Sequence, residues 1–142
     1  MSWFSLLLRG AGQFGPKALQ AARQAAPKIA ENPIARQQAL ALVAALPQRA
    51  RVVPVTRQQR LAVRINAARD NAAKGLEAAG SPAAEQRAQE WVARADRLRS
   101  SLELAASTRR ELRKGHLDRI SDSLDALLAE MIEALGDSSV EA

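Results

Sequence analysis

The sequence contains no cysteine and a single histidine. Disulfides and thiolate metal sites are therefore excluded, and so are most zinc sites that use histidine ligands. Aromatic residues are scarce too, since the 142 residues include two Trp, two Phe and no Tyr. Alanine instead dominates the apolar fraction, with 31 residues. Because alanine favours helix but buries little surface, we expect a helical protein with a thin core that depends on a partner, self-association or a surface.

Acidic residues are few over most of the chain. Residues 1–116 hold 20 Lys or Arg and 8 Asp or Glu. Residues 117–142 hold 1 Arg and 7 Asp or Glu. The excess positive charge predicts contact with something anionic, unless it only forms a solvated surface. We expect the acidic final helix and the helix before it to attract each other.

The longest regular pattern runs from Ser81 to Leu135, where apolar residues recur at steps of three and four, as in two amphipathic helices. The two stripes are Trp91, Ala95, Leu98, Leu102, Ala105 and Leu112, then Leu117, Ile120, Leu124, Leu127, Met131 and Ala134. The phase changes at residues 113–116, so we predict a turn at Gly115 and a helical hairpin. Arg109 falls in an inner slot, where it either fixes the register by pairing with a carboxylate or extends to solvent.

Capping signals mark the helices upstream. Thr56 and Gln59 form a capping-box pattern, and Ser81-Pro82 starts the next helix after Gly80. The predicted inner face between them is Leu61, Ile65, Ala68, Ala72, Leu76 and Ala79. Pro16 suits a helix start, Pro27 an end or kink, and Asn32-Pro33 a second start.

We therefore predict an all-α fold, an antiparallel helical bundle with a C-terminal helical hairpin and a Pro-interrupted helical N-terminal region. The predicted segments are an apolar amphipathic segment over 1–15, Pro-interrupted helices and a connector over 16–55, a three-helix bundle over 56–135, and a flexible tail over 136–142.

The N-terminal segment carries Trp3, Phe4 and Leu7. Its apolar run from Trp3 to Leu8 is six residues long with no Lys or Arg ahead of it, which fits neither a transmembrane helix nor a secretory signal. Three interpretations stay open: packing on the helical core, insertion into a membrane interface, or docking into the groove of a partner.

A basic stripe follows one side of the helix that begins after Thr56. It consists of Arg57, Arg60, Arg64 and Lys74, with Arg49 and Arg51 just upstream. Such side chains can neutralise the phosphates of nucleic acid or lipid headgroups, or face an acidic protein, or remain solvated. No helix-turn-helix, zinc-finger or aromatic RNA-binding motif accompanies the stripe, so its specificity is low.

Other polar groups favour structural roles. Asp118, Asp122 and Asp125 share one helix face, and we expect them to serve the helix dipole and nearby arginines rather than a metal ion. His116, as a lone histidine at the predicted turn, is interpreted as a helix-end residue rather than a general base.

Three glycines match the G-x-G-x-x-G dinucleotide fingerprint: Gly10, Gly12 and Gly15. No second strand follows to complete a βαβ unit, so we interpret them as a flexible turn ahead of the helix at Pro16. Neither a G-x-S-x-G elbow nor a Walker-type loop occurs. We therefore expect no enzyme, no cofactor and no metal site.

The sequence predicts a non-enzymatic helical adaptor or assembly subunit that binds a protein partner or itself through helix faces, in a coiled-coil-like manner. The candidate apolar anchors are Trp3, Phe4, Leu7, Trp91 and Leu98. One alternative is a basic nucleic-acid-binding accessory protein, and another is a peripheral membrane protein anchored by residues 1–9. We expect a cytoplasmic location, peripheral to the membrane in that last case, and no small-molecule substrate.

Overall fold

A computed structural model describes residues 15–33, 35–37, 39 and 56–141, with side chains as far as Leu135. These residues are helical apart from a few short turns and include no strand, which confirms the all-α class. We number the helices α1 (Pro16–Glu31), α2 (Arg57–Glu77), α3 (Pro82–Ala106) and α4 (Arg110–Glu141). No stretch of the described helices combines the length and apolarity needed to cross a bilayer.

Several predicted features lie outside the described residues. They are the N-terminal anchor candidates Trp3, Phe4 and Leu7, the glycines Gly10 and Gly12, and the connector arginines Arg49 and Arg51.

Helix α1 begins at Pro16 and buries a face made almost entirely of alanine. The buried residues of this face are Ala18, Ala21, Ala22, Ala25, Ala26 and Ile29. Pro27 lies inside the helix, so the prediction that it ends the helix is wrong. Its side chain is exposed, and its ring removes one backbone hydrogen bond, to Arg23, which the remaining bonds of α1 tolerate.

The Asn32-Pro33 start is confirmed. Asn32 adopts an extended conformation that ends α1, and its side-chain Oδ1 accepts a 3.3 Å hydrogen bond from the amide of Ala35. Residues 33, 35–37 and 39 are helical beyond it. One asparagine thus ends one helix and caps the next.

The predicted caps of α2 and α3 are confirmed. Thr56 Oγ1 accepts from the amide of Gln59 at 3.2 Å, and the Gln59 side chain accepts from the amide of Thr56 at 3.1 Å. Ser81 Oγ accepts from the amide of Ala84 at 3.2 Å, with Pro82 as the first residue of α3. Of the predicted inner face, Leu76 in the last turn of α2 and Ala79 beyond its end at Glu77 are only half-buried.

The turn between α3 and α4 lies at residues 107–109, so the predicted turn at Gly115 is wrong. Ser107 Oγ and Thr108 Oγ1 each donate a 3.0 Å hydrogen bond to the carbonyl oxygen of Leu104, which ends α3. Arg113 Nη2 donates to the carbonyl oxygen of Thr108 at 3.1 Å, across the turn. Gly115 lies inside α4, where no turn requires it.

The shifted turn changes the roles of two predicted stripe residues. Arg109 is exposed and precedes α4, where its carbonyl oxygen accepts hydrogen bonds from the amides of Leu112 and Arg113. It therefore does not occupy an inner slot. Leu112 is 58% exposed and does not belong to the buried stripe.

The stripe predicted along α4 is confirmed. All six of its members are buried: Leu117, Ile120, Leu124, Leu127, Met131 and Ala134. The helix continues to Glu141, beyond Leu135 and into the segment predicted to be a tail.

The chain divides into two compact units, each described by itself. One comprises Met1–Gln48 and Asp125–Ala142, and the other comprises Arg49–Leu124. Helix α4 therefore contributes residues to both. In the second unit α2 packs against α3, with Leu61 and Ile65 of α2 and Leu102 of α3 buried.

Candidate functional site

The basic stripe of α2 is partly engaged by carboxylates of the same unit. Arg57 Nη2 lies 2.6 Å from Asp118 Oδ1 of α4, with about half of each side chain buried. Arg60 and Lys74 are exposed, whereas Arg64 is half-buried and has an interaction partner. A phosphate bound along the whole stripe would therefore have to compete with Asp118 for Arg57.

A second ion pair ties α2 to α3. Arg69 Nε lies 2.6 Å from Asp96 Oδ1, and both side chains are about half exposed. Arg69 was not among the predicted binding residues, and its pairing shows that the arginines of α2 also serve to join helices. Exposed pairs of this kind contribute about 0.2–1 kcal/mol each.

An open groove of about 460 Å³ lies between the first half of α2 and the second half of α3. Six of its eight lining residues carry polar side chains, and the lining consists of Thr56, Gln58, Gln59, Ala62, Asn66, Arg99, Leu102 and Glu103. The start of α2 therefore lies beside the end of α3. The described lining offers no nucleophile with an adjacent base, so it suggests no chemistry of its own.

The three aspartates of α4 do not converge on a common point. Asp118 pairs with Arg57 of α2 and lies in the third turn of α4, so the helix-dipole role expected of it is wrong. Asp122 is exposed, and Asp125 is buried and bonds backbone amides rather than an arginine. Among the described residues no group of three or more His, Asp and Glu is placed to hold a metal ion.

Asp125 caps the N-terminus of α1 from a distant part of the chain. Its Oδ2 accepts a 3.0 Å hydrogen bond from the amide of Lys17, and its Oδ1 accepts one of the same length from the amide of Ala18. The first amides of a helix have no partner within the helix, so a carboxylate from elsewhere satisfies them and also complements the helix dipole. Asp125 is only 8% exposed, which makes this contact part of the core.

Gly15 leaves the space that this contact needs. A Cβ atom on Gly15 would lie 2.5 and 2.6 Å from the two carboxylate oxygens of Asp125. The glycine thus admits a side chain of the protein itself, and any anion at this helix terminus would have to displace Asp125 from the amides of Lys17 and Ala18.

Trp91 and Leu98 of α3, two of the predicted anchors, are only half-buried. Ala95 and Leu102, which belong to the same stripe, are fully buried. The guanidinium of Arg87 lies 5.5 Å from the centroid of the Trp91 ring, in a cation–π contact. The face of α3 that carries Trp91 and Leu98 is therefore apolar and only partly covered, and Arg87 lies beside it.

The surface around the α3–α4 turn was missed in the sequence. We define the turn surface as Leu104, Arg109, Arg110, Leu112 and Lys114, all of which are exposed. Leu104 and Leu112 are 70% and 58% exposed. The available signal was the Thr108-x-x-Glu111 spacing, a capping-box pattern that marks a helix start ahead of Gly115.

His116 lies within α4 rather than at a turn. Arg119 Nη2 donates to its Nδ1 at 3.2 Å, a contact between residues one helical turn apart. A contact between an arginine and a histidine on one helix brings no nucleophile to the histidine, so this pair suggests no catalytic arrangement.

Comparison with known proteins finds no matching family model, no matching curated protein and no matching solved structure.

Proposed function

We propose that the protein is a non-enzymatic helical adaptor or assembly subunit of the cytoplasm, which binds a protein partner or a second copy of itself through a helix face. The observation that carries the proposal is the stripe of α3, where Trp91 and Leu98 remain half-exposed beside the buried Ala95 and Leu102. A partner helix laid along this face would cover both side chains.

The composition of the core supports a need for such a partner. The buried face of α1 offers five alanines and one larger side chain, Ile29, so it contributes little burial for its length. Trp91 is one of only two tryptophans, and it remains half-buried. Covering a half-exposed tryptophan next to an arginine is the kind of contact that dominates protein interfaces.

The bundle predicted over 56–135 is proposed here for its part within one unit, residues 56–124, in which α3 and α4 form an antiparallel hairpin. Two observations support it: the short turn at residues 107–109, and the ion pair from Arg57, at the start of α2, to Asp118 of α4. The same end of α2 shares a groove with Arg99 and Glu103 of α3. In this arrangement the buried members of the α3 stripe, Ala95 and Leu102, lie in a coiled-coil-like seam, and the half-buried Trp91 and Leu98 stay accessible to the partner.

The test is the mass of the purified full-length chain by light scattering, together with recovery of bound proteins from the native source. We expect a dimer or a stable complex with a partner. Trp91→Ala and Leu98→Ala should each weaken the association by about tenfold or more, because both remove apolar area at the centre of the proposed interface.

The matched control is Val63→Ala, which removes an apolar side chain that is 43% exposed on α2, away from this face. It should leave the association unchanged. A wild-type chain that stays monomeric and retains no partner contradicts the proposal, and so does an association that is as strong in Trp91→Ala as in Val63→Ala.

A further inference from the structure

We infer that the turn surface between α3 and α4 binds an anionic lipid bilayer, with Leu104 and Leu112 entering the interface and Arg109, Arg110 and Lys114 contacting the headgroups. This inference concerns a different surface from the α3 stripe and does not depend on the proposed protein partner.

The first support is the exposure of two large apolar side chains at one short connection. Leu104 is 70% exposed near the end of α3, and Leu112 is 58% exposed in the first turn of α4. The described residues include only one other exposed large apolar side chain, Val63 of α2. Exposed large apolar residues that gather at one place indicate an interaction site, whereas single ones do not.

The second support is charge. Residues 103–114 contain four cations and two carboxylates, Glu103 and Glu111, and Glu103 lies 3.9 Å from Arg99 of the preceding helical turn. Arg113 bonds the carbonyl oxygens of Ala106 and Thr108. Arg109, Arg110 and Lys114 are exposed and lie within three residues of Leu112 in the sequence. Long cationic side chains can keep their charge at the level of lipid phosphates while their methylene groups and adjacent leucines enter the interface.

The third support is the position of the turn. Arg57, in the first turn of α2, binds Asp118 of α4, and the same end of α2 lies beside Arg99 and Glu103 of α3. Residues between Glu103 and Asp118 therefore extend beyond the start of α2. Arg110 lies eight residues ahead of Asp118 in the same helix, which corresponds to about 12 Å. Within this unit, the turn surface thus reaches past the start of α2, a placement that suits contact with a flat surface.

The small apolar area of the turn surface favours a bilayer over an acidic protein as its partner. A stable protein interface buries roughly 800 Å² on each partner, far more than two leucine side chains provide. Shallow attachment to an anionic membrane needs only a few apolar side chains together with several cations, and it gains strength when a second anchor exists elsewhere in the chain.

The experiment is flotation of the full-length chain with vesicles of phosphatidylcholine alone, or with roughly one-third phosphatidylserine. We expect recovery with the anionic vesicles only, and a steep loss as salt is raised. Leu104→Ser combined with Leu112→Ser should lower the affinity by about tenfold, because it removes the inserted apolar groups. Arg109→Gln, Arg110→Gln and Lys114→Gln together should abolish the preference for phosphatidylserine.

Val63→Ser is the matched control, since it makes the same kind of exposed change outside the turn surface. Circular dichroism melts check that every variant keeps its helices. Equal recovery on neutral and anionic vesicles overturns the inference, as does unchanged binding of the double leucine variant. A turn surface that binds a soluble acidic polypeptide but no vesicle also overturns it, in favour of an acidic protein partner.

Discussion

At the scale of single residues, Asp125 makes the most consequential contact in the described chain. Its two carboxylate oxygens bind the amides of Lys17 and Ala18, more than a hundred residues away in sequence. Asp125→Ala should lower the free energy of unfolding by about 2 kcal/mol, because it removes a helix cap and leaves two amides without a partner. Denaturant unfolding measures this loss.

The control for Asp125→Ala lies one turn earlier on the same helix. Asp122 is exposed, so Asp122→Ala should change the stability by no more than about 0.5 kcal/mol. If the two variants unfold at the same denaturant concentration, Asp125 does not contribute as a cap.

Gly15 and Asp125 should be energetically coupled. Gly15→Ala places a Cβ against the carboxylate of Asp125, so we expect a loss of about 1–3 kcal/mol in the wild-type background. In an Asp125→Ala background the carboxylate is absent, and the same substitution should cost much less. A double-mutant cycle by denaturant unfolding measures the coupling, and a cost that is equal in both backgrounds contradicts it.

At the scale of elements, polar side chains at the end of α3 place the turn ahead of Gly115, where the glycine predicted it. The hydroxyls of Ser107 and Thr108 both bond the carbonyl of Leu104, and Arg113 bonds two further carbonyls of the turn. These contacts satisfy carbonyl groups that would otherwise lack partners at a helix end. Once the turn is formed there, the chain at Gly115 is free to remain helical.

Gly115→Ala tests the position of this turn. Because Gly115 lies inside α4 and an added Cβ meets nothing within 4 Å, the substitution should stabilise the protein by about 0.5–1 kcal/mol. A turn at Gly115 would instead make alanine unfavourable at a position that commonly requires a left-handed backbone. Thermal unfolding followed by circular dichroism distinguishes the two.

Gly75→Ala is the matched comparison within α2. Gly75 is also helical and an added Cβ also meets nothing within 4 Å, so the gain should be similar. A stabilised Gly75→Ala beside a destabilised Gly115→Ala would contradict the placement of the turn at residues 107–109.

Local signals were sufficient to predict most elements. The caps at Thr56 and Ser81 depend on residues within three positions, and the stripe from Leu117 to Ala134 depends only on helical spacing, so both could be found in the sequence. The turn at residues 107–109 was predictable in principle, from the spacing of Thr108 and Glu111. The phase change near Gly115 gave a competing signal that pointed to the wrong place.

The remaining contacts depend on the tertiary fold. Nothing near Asp125 in sequence indicates that its partners are amides at the start of α1, and nothing near Arg57 distinguishes a free cation from one paired with Asp118. The turn surface was missed in the sequence for the same reason. Leu112 fitted the predicted stripe by spacing, and only the position of the turn shows that it is exposed.

At the scale of the whole molecule, the two compact units share one helix. Residues of α4 up to Leu124 belong to one unit and residues from Asp125 onward belong to the other. The acidic end of the chain therefore serves both: Asp118 pairs with Arg57 in one unit, and Asp125 caps α1 in the other. Asp118 thus pairs with α2 rather than with the preceding helix, where the attraction was expected, and Asp125 bonds backbone amides rather than a basic side chain.

This division predicts that the units respond separately to a local change. Asp125→Ala should lower amide protection in α1 by about 30-fold, the equivalent of about 2 kcal/mol, while α2 and α3 keep theirs. Hydrogen exchange followed by mass spectrometry of peptides from each helix measures both. Leu102→Ala, which opens a cavity in the other unit, should produce the reverse pattern. Equal loss of protection in α1 and in α2, in either variant, would contradict this prediction. It would mean that the shared helix α4 couples the two units so strongly that they unfold as one cooperative body.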